Sequence, residues 1–129
     1  MPLLMTPKSP LLLAPLEWRI MKCVWDLGAA DPIEITKHLR TNYRTEDYNP
    51  KTIGVVLLRL LHKGYVQFTA QAAGRGRPRH VYTPLVTKAS VLRMHFDRFL
   101  DDYLLDQEDI EALEAYLSER RRPRRIRRA

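Results

Sequence analysis

A mainly α fold carrying one small β hairpin and ending in two further helices is predicted by three features of this 129-residue chain. Three apolar stripes of helical period follow one another as far as residue 64. The period then shortens to that of paired strands around a turn rich in Gly and Arg. Two more helical stripes come after it. A stripe at i, i+3, i+4 and i+7 marks a helix buried on one side, whereas β-branched and aromatic runs flanking Gly and Pro mark a hairpin.

The first helix is expected from about Pro15 to Leu27, closed by Gly28. Leu16, Ile20, Cys23, Val24 and Leu27 make its stripe, and Trp18, Met21 and Trp25 widen it, so it should be covered on more than one side. Asp31-Pro32-Ile33-Glu34 supplies an N-cap, a proline at the first helical position and a glutamate able to reach back. The second helix therefore starts there, runs to about Arg40, and turns Ile35 and Leu39 inward. Residues 41–48 read as a polar loop. Asn49 is then an N-cap and Pro50 the first residue of a third helix, with Ile53, Val56, Leu57, Leu60 and Leu61 inward and Gly64 at the C-cap. Its opposite side holds Lys51, Thr52, Val55, Arg59 and His62, and no acid. Gly54 is unfavourable by up to about 1 kcal/mol inside a helix. Close packing against the second helix explains it more readily than close approach of DNA.

Strands are expected at 65–69 and 80–83, joined by a long cationic tip with Gly74, Gly76, Pro78 and the arginines 75, 77 and 79. Beyond the hairpin, Thr87 can cap a helix reaching about Leu105, with Leu92, Phe96, Phe99 and Tyr103 on one side. Asp106 can cap a last helix from about Gln107 to Arg120, with Ile110, Leu113 and Leu117 aligned.

Charge is sorted along the chain. Residues 1–93 hold 14 Lys/Arg against 6 Asp/Glu (net +8), 94–119 hold 1 against 9 (net −8), and 120–129 hold 7 Arg and no acid. A basic front end faces a polyanion, and an acidic segment turns away from it. Three helices followed by a basic hairpin is the layout of a winged helix-turn-helix, with its third helix in the major groove of double-stranded DNA and its wing on backbone or minor groove. Lys51, Thr52, Val55 and Arg59, with Asn49 at the cap, are the candidate contacts of the helix. Arg75, Arg77 and Arg79 are those of the wing. Gly-Arg-Gly-Arg-Pro-Arg at 74–79 is similar to an AT-hook that reads a narrow A·T minor groove. A wing tip that touches only phosphates is the alternative. The two last helices need a partner surface, and a homodimer matches the symmetry of palindromic sites. Their candidate dimer residues are Leu92, Phe96, Phe99, Tyr103, Ile110, Leu113 and Leu117. An architectural A·T-preferring DNA binder and a domain used only for protein contacts are the other functions compatible with these features.

The chain accordingly divides into a flexible arm (1–12), a winged-helix domain (13–86), C-terminal helices (87–119) and a disordered Arg-rich tail (120–129). The lone Cys23 lies in an apolar stripe, so no intramolecular disulfide forms and the cytoplasm is the expected compartment. No run reaches membrane-spanning length. His38, His62, His80 and His95 are scattered without metal-ligand spacing. No P-loop, Gly-x-Ser-x-Gly or dinucleotide fingerprint occurs. Neither an enzyme nor a metal or cofactor site is expected.

Residues 16–25 (LEWRIMKCVW), Asn49-Pro50-Lys51-Thr52-Ile53, Leu57-Leu58-Arg59-Leu60, Lys63-Gly64-Tyr65 and Val81-Tyr82-Thr83-Pro84 occur in the order of a known pattern. With them the chain resembles the penicillinase-repressor (BlaI/MecI) family of winged-helix transcriptional repressors over about 12–86. The resemblance implies a cytoplasmic bacterial repressor that binds a palindromic operator as a homodimer through its C-terminal helices. In many members a membrane sensor protease releases the repressor. The resemblance also implies base contacts by Lys51 and Thr52. The loop before the third helix and the wing are longer than the family pattern, and the stretch from Tyr103 to Ile110 is shorter. The Cys-rich C-terminal motif of copper-responsive relatives does not occur.

Overall fold

In a computed structural model the described residues are 12–43, 48–71, 76 and 78–121. They form α1 (Pro15–Leu27), α2 (Pro32–Asn42), α3 (Pro50–Lys63), β1 (Val66–Gln71), β2 (Arg79–Pro84), α4 (Lys88–Asp102) and α5 (Gln107–Arg121). Residues 1–11 of the expected arm, the wing arginines 75 and 77, and residues 122–129 of the expected tail lie outside them, whereas Arg120 and Arg121, expected in that disordered tail, form the last turn of α5. The chain divides into two compact units, residues 1–95 and 96–129.

In the first unit each helix begins where its capping chemistry dictates. Glu17 Oε1 accepts the Ala14 N–H at 2.8 Å and starts α1. Asp31 Oδ1 accepts from the Glu34 N–H while Glu34 Oε1 accepts the Asp31 N–H, at 2.8 and 2.9 Å, closing both halves of a capping box. α2 runs two residues past the expected Arg40, and its end is held against α1. There Asp26 accepts from the Tyr43 hydroxyl at 2.6 Å and lies 3.0 Å from His38 Nε2. The hydrogen bond from Tyr43 holds the Asp26 carboxyl below the usual carboxylate range, and the same bond pushes the Tyr43 hydroxyl up to about 12.

The core lies where the three helices meet the root of the hairpin. Ile20, Cys23 and Val24 of α1, Ile35 of α2, Ile53 and Leu57 of α3, and Tyr65 are fully enclosed. Leu57→Ala would cost about 2–5 kcal/mol by removing buried methyl groups and leaving a cavity. Burial pushes the Cys23 thiol up to about 12, which keeps it inert. Leu27, expected inward, is exposed instead, because it falls in the last turn of α1, where it lines an open surface cleft with Glu34, His38 and Thr41 of α2 rather than the core.

Gly64, at φ 84° and ψ 19°, ends α3. Its N–H bonds to Leu61 O and that of Tyr65 to Leu60 O, a Schellman closure. That closure uses Tyr65, so the first strand begins at Val66 rather than Tyr65 and Tyr65 becomes a core residue. β1 and β2 pair antiparallel, Phe68 opposite Tyr82 and Gln71 opposite Arg79. Ala30 adds a third edge by exchanging backbone hydrogen bonds with Tyr82 at 3.1 and 2.8 Å. Thr87 Oγ1 caps α4 through the Ser90 N–H, and α4 joins this core by Val91.

In the second unit α4 stops at Asp102, three residues short of the expected Leu105. Leu104 takes the left-handed conformation at φ 50°, and the N–H groups of Leu104 and Leu105 bond back to Asp101 O and Leu100 O. This is again a Schellman closure, built on a leucine where a glycine would have announced it. Asp106 and Asp109 then cap α5 reciprocally, each carboxylate taking the other's N–H at 3.0 Å.

Candidate nucleic-acid interface

The first turn of α3 is set from two sides. Asn49 Oδ1 accepts the Thr52 N–H at 2.9 Å, which fixes the start of the helix. Arg40 of α2 donates to Tyr48 O at 3.0 Å and holds the residue that precedes the cap. Lys51, Thr52, Val55, Leu58, Arg59 and His62 then emerge on the exposed side, and α3 contains no Asp or Glu. Of the residues singled out from sequence on this helix, Lys51, Thr52, Val55 and Arg59 thus share one exposed side. Asn49 caps it.

Sequence reasoning missed Leu58, which is half exposed in the middle of that surface. Its flanking leucines, Leu57 and Leu60, are core, and an apolar run of this kind hides which member points outward. Gly54 also differs from expectation. A Cβ built on it meets no atom within 4 Å, so packing among the described residues does not require a glycine there.

Farther along α3 the cations are shared with α1. Lys63 Nζ donates to Glu17 Oε1 at 2.8 Å and to Leu12 O at 3.1 Å, and Arg59 Nη1 lies 3.8 Å from Glu17 Oε2. Glu17 is almost fully buried. The hydrophobic pattern gave no hint of this, since a charged residue beside an apolar stripe ordinarily faces solvent. Its burial by itself would raise the carboxyl pKa. The bonds from Lys63 and Ala14, with the charges of Lys63 and Arg59, hold it below the usual glutamate value.

The root of the wing is tied to α2. Arg79 Nε donates to Asp31 Oδ2 at 3.1 Å and Arg79 Nη2 to Glu34 Oε1 at 3.0 Å, so the two carboxylates that cap α2 also hold the start of β2. Of the three wing arginines, Arg79 is described with these two intramolecular partners, and Arg75 and Arg77 fall outside the described residues. Phe68, with its ring 5.2 Å from that of His80, is the exposed aromatic of the hairpin.

In the second unit Phe96, Phe99 and Tyr103 form a ladder of rings with centroids 6.4 and 5.0 Å apart, all exposed. Leu117 is exposed as well, whereas Ile110 and Leu113 are partly covered. Leu92, in the first unit, is also exposed. Among the described residues no group of His, Cys, Asp or Glu side chains is arranged to hold a metal ion. Nor is any helix long and apolar enough to cross a membrane.

Three helices, a two-stranded hairpin closed against the start of α2, and an exposed acid-free side of α3 define a winged helix-turn-helix protein. Residues 13–119 match the penicillinase repressor family model, and the chain belongs to that family. The penicillinase repressor of Bacillus licheniformis is 30% identical over 87 residues, which cover 67% of this chain and 62% of that protein's length. Among solved structures, Bacillus subtilis PadR in complex with operator DNA shares the fold at TM-score 0.52 and 19% identity, over 81% of this chain and 58% of PadR. The solution structure of the DNA-binding domain of the repressor BlaI matches at TM-score 0.47 and 29% identity, over 66% of this chain and 93% of that domain.

Proposed function

We propose that this chain is a sequence-specific, DNA-binding transcriptional repressor that meets a palindromic operator as a homodimer. The observation that carries this reading is the outer side of α3, where Lys51, Thr52, Val55 and Arg59 emerge from a helix without a carboxylate. The family, and the likeness to the penicillinase repressor of Bacillus licheniformis, support it. In this reading α3 lies in the major groove. A phosphate near its first turn gains from Lys51 and from the helix dipole, Thr52 hydrogen-bonds a base edge, and Asn49 fixes the entry of the helix. Arg75 and Arg77 supply backbone or minor-groove contacts from the wing. Arg79 reaches a phosphate only by leaving Asp31 and Glu34. Leu92, Phe96, Phe99 and Tyr103 of α4, with Ile110, Leu113 and Leu117 of α5, make the dimer surface. The chain acts by binding and not by catalysis.

Selection of bound sites from random duplex DNA tests this. A palindrome is the expected product, a symmetry-free A·T bias would favour an architectural binder, and no enrichment would sink the reading. On the selected site, Lys51→Ala weakens binding and Thr52→Ala relaxes preference at one base step by about 1–3 kcal/mol. If both variants bind and discriminate as the unmodified protein does, α3 is not the reader.

A further inference from the structure

We infer that α3 reads the 5-methyl groups of thymine through an apolar seat made of Gly54, Val55 and Leu58, with Lys51 at its edge. The inference rests on the DNA-binding reading above and specifies which feature of the base pairs the helix recognises. Lys51, Gly54, Val55 and Leu58 follow one another at i, i+3, i+4 and i+7, so they form one continuous strip on the exposed side of the helix. Val55 is 54% exposed and Leu58 50% exposed. Two branched aliphatic side chains a turn apart make a small apolar patch on this solvent-facing strip.

The strip's surroundings decide what covers it. Lys51, Arg59 and His62 border it, and α3 carries no acid. That rim suits a polyanion and not the apolar face of another protein. Gly54 narrows the choice further. It is a poor helix former, its φ lies in the ordinary negative range, and a Cβ on it would touch nothing within 4 Å among the described residues. Neither backbone conformation nor packing among the described residues calls for a glycine. What a glycine does provide is a gap in the outer surface, bounded by Lys51, Val55 and Leu58, through which the backbone can come close to whatever lies opposite. The apolar group that base pairs display in the major groove is the thymine methyl. A gap lined by two aliphatic side chains accepts it, whereas the amino and carbonyl groups of G·C pairs would lose water there without gaining a partner.

The test uses the full-length chain and the duplex recovered by site selection, with each thymine replaced in turn by deoxyuridine, which removes only the methyl group. The unmodified protein should lose about threefold to tenfold in affinity at one or more positions of each half-site. Val55→Ala and Leu58→Ala should bind the thymine and deoxyuridine forms of those positions equally. Gly54→Ala should raise Tm, because the helix is improved and no described residue is displaced, and yet bind the selected duplex at least tenfold more weakly. Indifference of the unmodified protein to deoxyuridine at every position overturns the seat. So does a Gly54→Ala protein that binds as tightly as its parent. If selection enriches no duplex at all, the DNA-binding reading fails first and this inference goes with it.

Discussion

Lys63 Nζ, in the last turn of α3, lies 2.8 Å from Glu17 Oε1 in the first turn of α1. The same carboxylate accepts the Ala14 N–H and faces Arg59, so one buried acid joins the start of the first helix to the end of the third. Its pKa is lower in the folded chain than in the unfolded one, so the unfolded state binds the proton more readily. The stabilisation is therefore complete above the ordinary glutamate pKa and disappears as pH falls through the lowered folded value. Glu17→Gln should cost about 1–3 kcal/mol near neutral pH. The gap between variant and parent should shrink below about pH 4. Urea denaturation at pH 7 and pH 3 measures both, and an equal difference at the two values would show that charge is not the cause.

Arg79 shares the capping carboxylates of α2. Asp31→Asn should preserve the cap, since asparagine caps as well as aspartate, while removing the charge that faces the guanidinium. Amide exchange at Arg79 and His80 should then quicken by less than about tenfold, as expected for a partly exposed ion pair, with α2 unchanged. Faster exchange throughout α2 would mean that the cap itself had failed.

Much of this architecture was legible in residue order because caps and periods act locally. Asp31 and Glu34, Asn49 and Pro50, Gly28 and Gly64 mark helix ends through their own chemistry, and each does so in the structure. Long-range pairings were not legible. Nothing near Glu17 in the chain shows that Lys63 will reach it, nor does anything near Arg79 show that Asp31 and Glu34 will. Gly54 stood out from sequence, but its meaning depended on what surrounds it. Leu58 was hidden in a run of leucines that differ only in direction.

Leu104 gives a case where the best residue is not the one present. It is 86% exposed and held at φ 50°, a conformation that disfavours side chains bearing a Cβ by roughly 1–2 kcal/mol. Leu104→Gly removes that strain at a small entropic cost in the unfolded chain. It should stabilise the second unit by up to about 1 kcal/mol, read as a higher denaturation midpoint by circular dichroism. A lower midpoint would mean that the Leu104 side chain has a partner in solution.

The ring ladder of α4 offers a direct test of self-association. Phe99 touches both Phe96 and Tyr103 and is exposed, so Phe99→Asp introduces a charge at its centre while displacing no buried group. Sedimentation equilibrium should show a dimer for the parent and a dissociation constant raised by at least about thirtyfold for the variant, in line with losing a central aromatic anchor worth over about 2 kcal/mol. An unaltered mass would place the dimer contact elsewhere.

The bridge between Ala30 and Tyr82 has a further consequence, for folding. It joins the turn after α1 to the second strand of the wing, so the chain between them, carrying α2, α3 and β1, forms a closed loop. The second strand of the hairpin cannot leave its root without opening that closure. The amides of Ala30 and Tyr82, both buried in the core, should therefore exchange only when the whole unit unfolds, making the wing root one of the last places to let go.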